Sequence, residues 1–178
     1  MIYTSYQMEE KAILETAAHM CAAARTAPKA RGIDNILTFV LTGAEKDALA
    51  AKLDEIAQRE FKGSGPFPRD AKNVRAAQAV VLIGVKRVSC KLPYCSLCGF
   101  ASCQDCDQAG ARCVFNGIDL GIAVCSAVAV AADNRVDNRV MYTIGKAAEE
   151  MGYTDEKSVI WHGIPISVSG KSIFFDRG

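Results

Sequence analysis

The apolar positions of this chain follow two rhythms, one suited to helices and one to strands. Ile13, Ala17, Met20, Cys21 and Ala24 recur at offsets of 0, 4, 7, 8 and 11 within Met8 to Ala24, which puts them on one helical face. Thr4 and Gln7 supply a capping box ahead of that helix, and Pro28 and Gly32 close it. Asn35 to Leu41 is rich in β-branched and aromatic residues and reads as a buried strand. Thr42 and Glu45 form a second capping box, after which Leu49, Leu53, Ile56, Ala57 and Phe61 share a helical face that runs to near Lys62. Beyond the breaker cluster Gly63 to Pro68, a short helix over Ala71 to Ala77 leads into a second buried strand, Ala79 to Val85.

The second half begins with cysteines and then returns to the helical rhythm. Asp119 is placed to cap a helix through Ala132 that is apolar on every face. A helix of that kind in a small domain needs cover on several sides, so a homodimer built around Asp119 to Ala132 is expected, and Arg at Ala127 or Ala129 should disrupt it or the fold. Asp133 to Val140 repeats D-N-R-V and reads as the turn between helices; Arg135 and Arg139 there suit helix-end solvation better than ligand binding. Val140, Ile144, Ala147, Ala148 and Met151 then repeat the first helix's spacing. Two strand-like runs follow, one from Ser158 and one from Lys171 to Arg177, with Pro165 holding the first at an edge or making it irregular. Trp161 suits a core or interface anchor, and His162 and His19 lack partner motifs. The order specifies one α+β layered domain of about four strands over residues 1–178, with residues 90–118 as an inserted cysteine-rich loop.

Composition narrows the setting. Twenty-one basic and 20 acidic residues leave a net charge of +1, which points to neither nucleic acid nor an anionic membrane surface. The first residues do not have the form of a secretory signal, and the apolar stretch Leu120 to Ala132 is too short to span a bilayer, so a cytoplasmic protein is expected.

Five of the eight cysteines crowd into C-x2-C-x4-C-x2-C-x6-C, formed by Cys95, Cys98, Cys103, Cys106 and Cys113. Clustered thiolates in a reducing compartment suit a soft metal better than disulfides. Two readings stay open. In one, Cys95, Cys98, Cys103 and Cys113 hold an iron–sulfur cluster that passes electrons to an unidentified redox partner, Cys106 competing for the fourth place and Cys21, Cys90 and Cys125 standing outside. In the other, Cys95 and Cys98 with Cys103 and Cys106 close a structural zinc site for protein interaction. The cations Arg25, Lys29 and Arg31 form a candidate phosphate contact, weighed against simple solvation of a helix end.

C95-x-x-C98-G99-x-x-S102-C103 followed by Cys113 resembles the 4Fe-4S motif C-x-x-C-G-x-x-[S/T]-C, with a shorter gap to the last cysteine. Over most of its length the chain, with A-A-R-T-A-P-K-A-R-G-I-D-N, A-V-V-L-I-G, the helix from Asp119 and the ending G-I-P-I-S-V-S-G-K-S-I-F-F-D-R, resembles prokaryotic proteins described as containing a ferredoxin domain. That resemblance implies a compact nitroreductase-like core whose central dimer helix is Asp119 to Ala132. It also implies FMN at a dimer interface, but the R-R-S-x-R phosphate motif of nitroreductases is missing, and no residue is assigned to flavin.

Overall fold

The computed structural model describes residues 1–156 and 158–175. Helix α1 spans Ser5–Thr26, and its start is the capping box read from the sequence: the Gln7 amide donates to Thr4 Oγ1, and the Thr4 amide to Gln7 Oε1. Its C-terminus is closed by Lys29, whose buried ammonium donates to the carbonyls of Ala24, Arg25 and Ala27. Strand β1 (Ile36–Leu41), α2 (Gly43–Phe61), α3 (Pro66–Ala76) and β2 (Ala79–Lys86) follow. Thr42 is the N-cap of α2, but its side chain makes no capping bond, so the second capping box does not form.

A long connection carrying the short helix α4 (Cys103–Gln108) leads to α5, which spans Val114–Asp133. Asp119 therefore does not cap α5. It lies inside the helix, 4% exposed, and accepts the Ala30 amide at 3.0 Å. The longer helix also corrects the estimate of its reach: its 20 residues are long and apolar enough to cross a membrane by length and composition, while its inner face packs on the sheet. Strand β3 (Asp137–Asn138), α6 (Tyr142–Met151) and β4 (Val159–Ser167) complete the order. Val140 falls before α6 and is exposed. In the second strand-like run, residues 171–175 make turns and bends; Asp176 and Arg177 lie outside the described residues.

The sheet order is β1-β2-β4-β3, antiparallel throughout. β4 is thus interior, with Pro165 opposite Val80 of β2 and β3 on its other side. Gly163 exchanges both backbone bonds with Met141, so by the two-residue alternation Pro165 directs its missing donor toward the same side, at Arg139. The ladder is interrupted there, which is why β3 has only two residues and Met141 rejoins as a single bridge.

Alternation along β2 splits the core into two layers. Val81, Ile83 and Val85 face α1 and α5; Val80 and Leu82 face α2, α3 and α6. Trp161 is part of the second layer, its ring beside Phe39 at 5.7 Å between centroids and over Gly84, where a Cβ would lie 2.4 Å from the indole. Helix α6 approaches β4 closely through Gly145, whose added Cβ would sit 1.8 Å from the Trp161 carbonyl oxygen.

Candidate metal centre

The connection between β2 and α5 is short of apolar cover, and polar ties fix its base. Arg87 Nε donates to the Ala111 carbonyl, Asn116 Nδ2 to that of Val88 at 2.9 Å, and Ser89 Oγ to Asp107. From the far side, Arg31 donates to the Cys90 carbonyl at 2.8 Å. These bonds lay residues 87–90 against residues 107–116. Between them the chain turns sharply: Lys91, Tyr94 and Ser96 hold φ of 50°, 52° and 46°, and Gly99 holds 85°. Left-handed backbone costs a non-glycine residue roughly 1 kcal/mol, so the polar ties at the base must hold this path in place. At the tip Tyr94 and Leu97 are exposed.

Inside this fold-back is a cavity of about 620 Å³ whose walls include Cys90, Cys95, Cys98, Cys103 and Cys113. Ser102 caps α4, accepting the Asp105 amide, and so sets the direction of Cys103. Cys113 is the N-cap of α5. The Cys90 thiol is hydrogen-bonded to Cys113; burial first, then Cys113, Asp119 and Cys103, push its pKa up to about 11. Cys106 lies in α4, 1% exposed, beside Cys98; burial and that neighbour raise its thiol, and it is not part of the cavity wall. Among the described residues, no three Cys, His, Asp or Glu side chains converge as a metal-binding group.

The four cysteines singled out from the motif thus share one cavity, and the structure adds Cys90, which the sequence reading leaves outside the set. A signal for it was present: Cys90-x4-Cys95-x2-Cys98 has the plant-type ferredoxin spacing. Cys21 is half-buried on α1 and Cys125 is exposed on α5. The donor set is sulfur-rich, the cavity is roomy and the cysteines come from separate turns, all of which fits an iron–sulfur group. The three cations considered for phosphate each have work within the chain: Arg25 bonds Asp34 and the Ile36 carbonyl, Lys29 closes α1, and Arg31 holds the cysteine connection.

The family model described as "uncharacterized protein containing a ferredoxin domain (DUF2148)" matches residues 109–177. A protein of Archaeoglobus fulgidus, described as uncharacterized, is 40% identical over 185 residues, taking in 99% of this chain and 98% of that one. The chain belongs to the DUF2148 family. Of the cysteines, the matched DUF2148 segment contains Cys113 and Cys125, the remaining cavity cysteines lying just before it. Among solved structures, a nitroreductase family protein from Clostridium novyi superposes with a TM-score of 0.57 at 13% identity, covering 86% of this chain and 73% of that one. A nitroreductase with bound FMN from Desulfitobacterium hafniense gives 0.55 at 11% identity, covering 89% and 79%. Such low identity establishes the fold alone: this DUF2148 chain has a nitroreductase-like arrangement of sheet and helices, as its sequence led us to expect.

Proposed function

We propose that this chain is an iron–sulfur redox protein, an electron-transfer or oxidoreductase component, in which Cys95, Cys98, Cys103 and Cys113 hold a 4Fe-4S cluster. The observation that carries the reading is the single cavity lined by all four of these cysteines in a chain whose family is described by its ferredoxin domain. Such a cluster supplies one-electron chemistry at a potential set by hydrogen bonds to sulfur and by burial. The chain's own residues provide both controls. Cys90 donates to the Cys113 sulfur, and α5 directs the positive end of its dipole at that N-cap, where negative charge is favoured. Tyr94 and Leu97 at the exposed tip give a redox partner an apolar surface near the centre.

The working unit is a homodimer in the cytoplasm. Ile118 and Ile122 on the outer face of α5 are exposed, and Gly117, Gly121 and Ala129 beside them allow a second helix to come close. Flavin has no residue assigned to it, although the fold is one that holds FMN in a solved neighbour.

Anaerobic purification followed by iron, sulfide and zinc analysis tests the proposal. The expected result is roughly four iron and four sulfide per chain; stoichiometric zinc without iron overturns it. Ser at Cys95, Cys98, Cys103 or Cys113 should each lower iron retention, since serine is a poor substitute for a soft thiolate. Cys21→Ser should leave iron unchanged. Cys90→Ser should keep the iron and shift the reduction potential; loss of iron in that variant would move Cys90 into the ligand set.

A further inference from the structure

Two cysteines of the connection stand outside the proposed ligand set: Cys90, on the cavity wall, and Cys106, buried in α4 and not part of that wall. A thiol that only fills space is a small apolar side chain like any other, yet each of these two lies against a proposed ligand. Cys90 is hydrogen-bonded to Cys113, and Cys106 to Cys98. The backbone fixes both meetings. Bonds from Arg87 to the Ala111 carbonyl and from Asn116 to the Val88 carbonyl lay the Cys90 segment beside Cys113. Ser96 Oγ donates to the Ala101 carbonyl at 3.3 Å and folds the Cys98 turn back toward α4, whose Cys106 amide donates to the Ser102 carbonyl. Among the described residues no three metal-binding side chains converge. The thiols meet in twos instead, and each pair joins one proposed ligand to one cysteine left out of the set.

Two thiols in contact need only a small shift to reach the geometry of a disulfide. Exposure sets the order of events: Cys98 and Cys113 are half-buried on the cavity wall, whereas Cys106 is 1% exposed. A small disulfide R-S-S-R entering the cavity is attacked by the Cys98 sulfur; its S–S bond breaks, one RSH leaves, and Cys98 carries the other half as a mixed disulfide. Cys106 then attacks the Cys98 sulfur, which forms the Cys98–Cys106 bond and expels the second RSH. Two electrons pass from the thiol pair to the oxidant, and the two thiol protons leave on the two RSH molecules. Cys113 and Cys90 react in the same way. In reducing compartments, disulfides of this kind are transient and redox-sensing.

We propose that Cys90 and Cys106 are the resolving thiols of a redox lock: a small disulfide oxidant joins Cys98 to Cys106 and Cys90 to Cys113, which withdraws two of the four proposed ligands from iron, and a thiol reductant returns them. The lock rests on the cluster reading; the pairing of the thiols does not.

Treating the chelator-stripped full chain with glutathione disulfide tests the pairing. The intact mass should fall by about 4 Da for two disulfides, and digestion after alkylation should give peptides linked Cys98 to Cys106 and Cys90 to Cys113. Cys106→Ala should lose the first link and keep the second, and Cys90→Ala the reverse, with circular dichroism confirming that each variant is folded; should Cys106→Ala not fold, the parent's map and Cys90→Ala decide. Reconstitution with iron and sulfide then reads the lock. Because the thiolate is the metal ligand, the oxidised chain should take up roughly a tenth of the iron of the reduced chain, and dithiothreitol should restore the rest. Links between other cysteines, or none, overturn the proposal, and iron uptake that ignores the mapped links overturns the lock. A reduced chain that takes up no iron overturns the cluster reading and the lock with it, while the mapped links still decide the pairing.

Discussion

The β2–β4 pair and the cysteine connection adjoin each other, yet opposite means hold them. Val80 to Ile83 are fully buried on both faces, and interlocking side chains plus two near-contact glycines fix them in place. The cysteine connection buries only Cys106 among its hydrophobic side chains and relies on bonds from Arg87, Ser89, Asn116 and Arg31 at its base. A packed core tolerates little change in shape. A loop tied at its base can keep its anchorage while the interior adapts to what it binds. Damage should therefore be global in the first region and local in the second.

The largest effect should come from Ala127→Arg, which puts an unpaired charge into the core at a residue with no exposure and should cost about 4 kcal/mol or more. Urea denaturation should show the loss. Ala129→Arg, on the exposed side of the same helix, should leave stability within about 0.5 kcal/mol and break the proposed homodimer, giving a monomer in light scattering. The structure therefore separates two substitutions that the sequence leaves equivalent. Gly145→Ala comes next: its methyl meets the Trp161 carbonyl oxygen, part of a backbone held in the sheet, and overpacking there should cost about 3 kcal/mol.

Asn116→Ala probes the other region. It strips the Val88 carbonyl of its donor, and it also removes a buried Oδ1 that has no partner among the described residues, so the net loss should be only about 1 kcal/mol. The sharper readout is maleimide labelling of Cys90 and Cys113 in metal-free protein, which should quicken severalfold while the far-UV circular dichroism stays unchanged. If labelling and unfolding rise together, the two regions are not separable.

Acid should strain the sheet side. Burial lowers the His162 pKa below its ordinary 6.5, and its Nδ1 is buried without a partner among the described residues. The unfolded chain therefore binds the proton more readily, so this stabilisation is complete above about pH 6.5 and is lost as pH falls toward the folded-state pKa. Between pH 7 and pH 5 the drop in Tm should be smaller in His162→Asn than in the parent. The smallest contrast lies at helix starts: Thr4→Ala should cost about 1 kcal/mol, whereas Thr42→Ala, which removes no capping bond, should cost almost nothing.

Much of the scaffold was legible because its periods are local. The stripe from Ile13 to Ala24, the Thr4–Gln7 box and the runs forming β1 and β2 need only neighbours in sequence to be recognised. Errors arose where a distant partner decided. Asp119 has the chemistry of an N-cap, but the Ala30 amide, 89 residues away, claims its carboxylate and lets α5 begin at Val114. Pro165 argued for an edge or an irregular strand, whereas its lost donor falls in a gap of the ladder, which frees β4 to run unbroken inside the sheet. At the candidate site the grouping of cysteines could be read from spacing. The spacing of Cys90 to Cys95 and Cys98 was legible too, but its place beside Cys113 was not, because Arg31 and Asn116, far from it along the chain, fix that approach.

The interrupted β3 ladder has a consequence beyond topology. The outer rim of a sheet is a template on which a strand from another molecule can pair, and long unbroken rims are where ordered aggregation starts. Here that rim offers two paired residues, a stretch opposite a proline, and one isolated bridge at Met141. No incoming strand can find a continuous row of bonding groups along it. Pro165→Val would restore the missing donor and with it a longer rim on this side of the sheet, so aggregation of that variant followed by light scattering at high concentration should exceed the parent's.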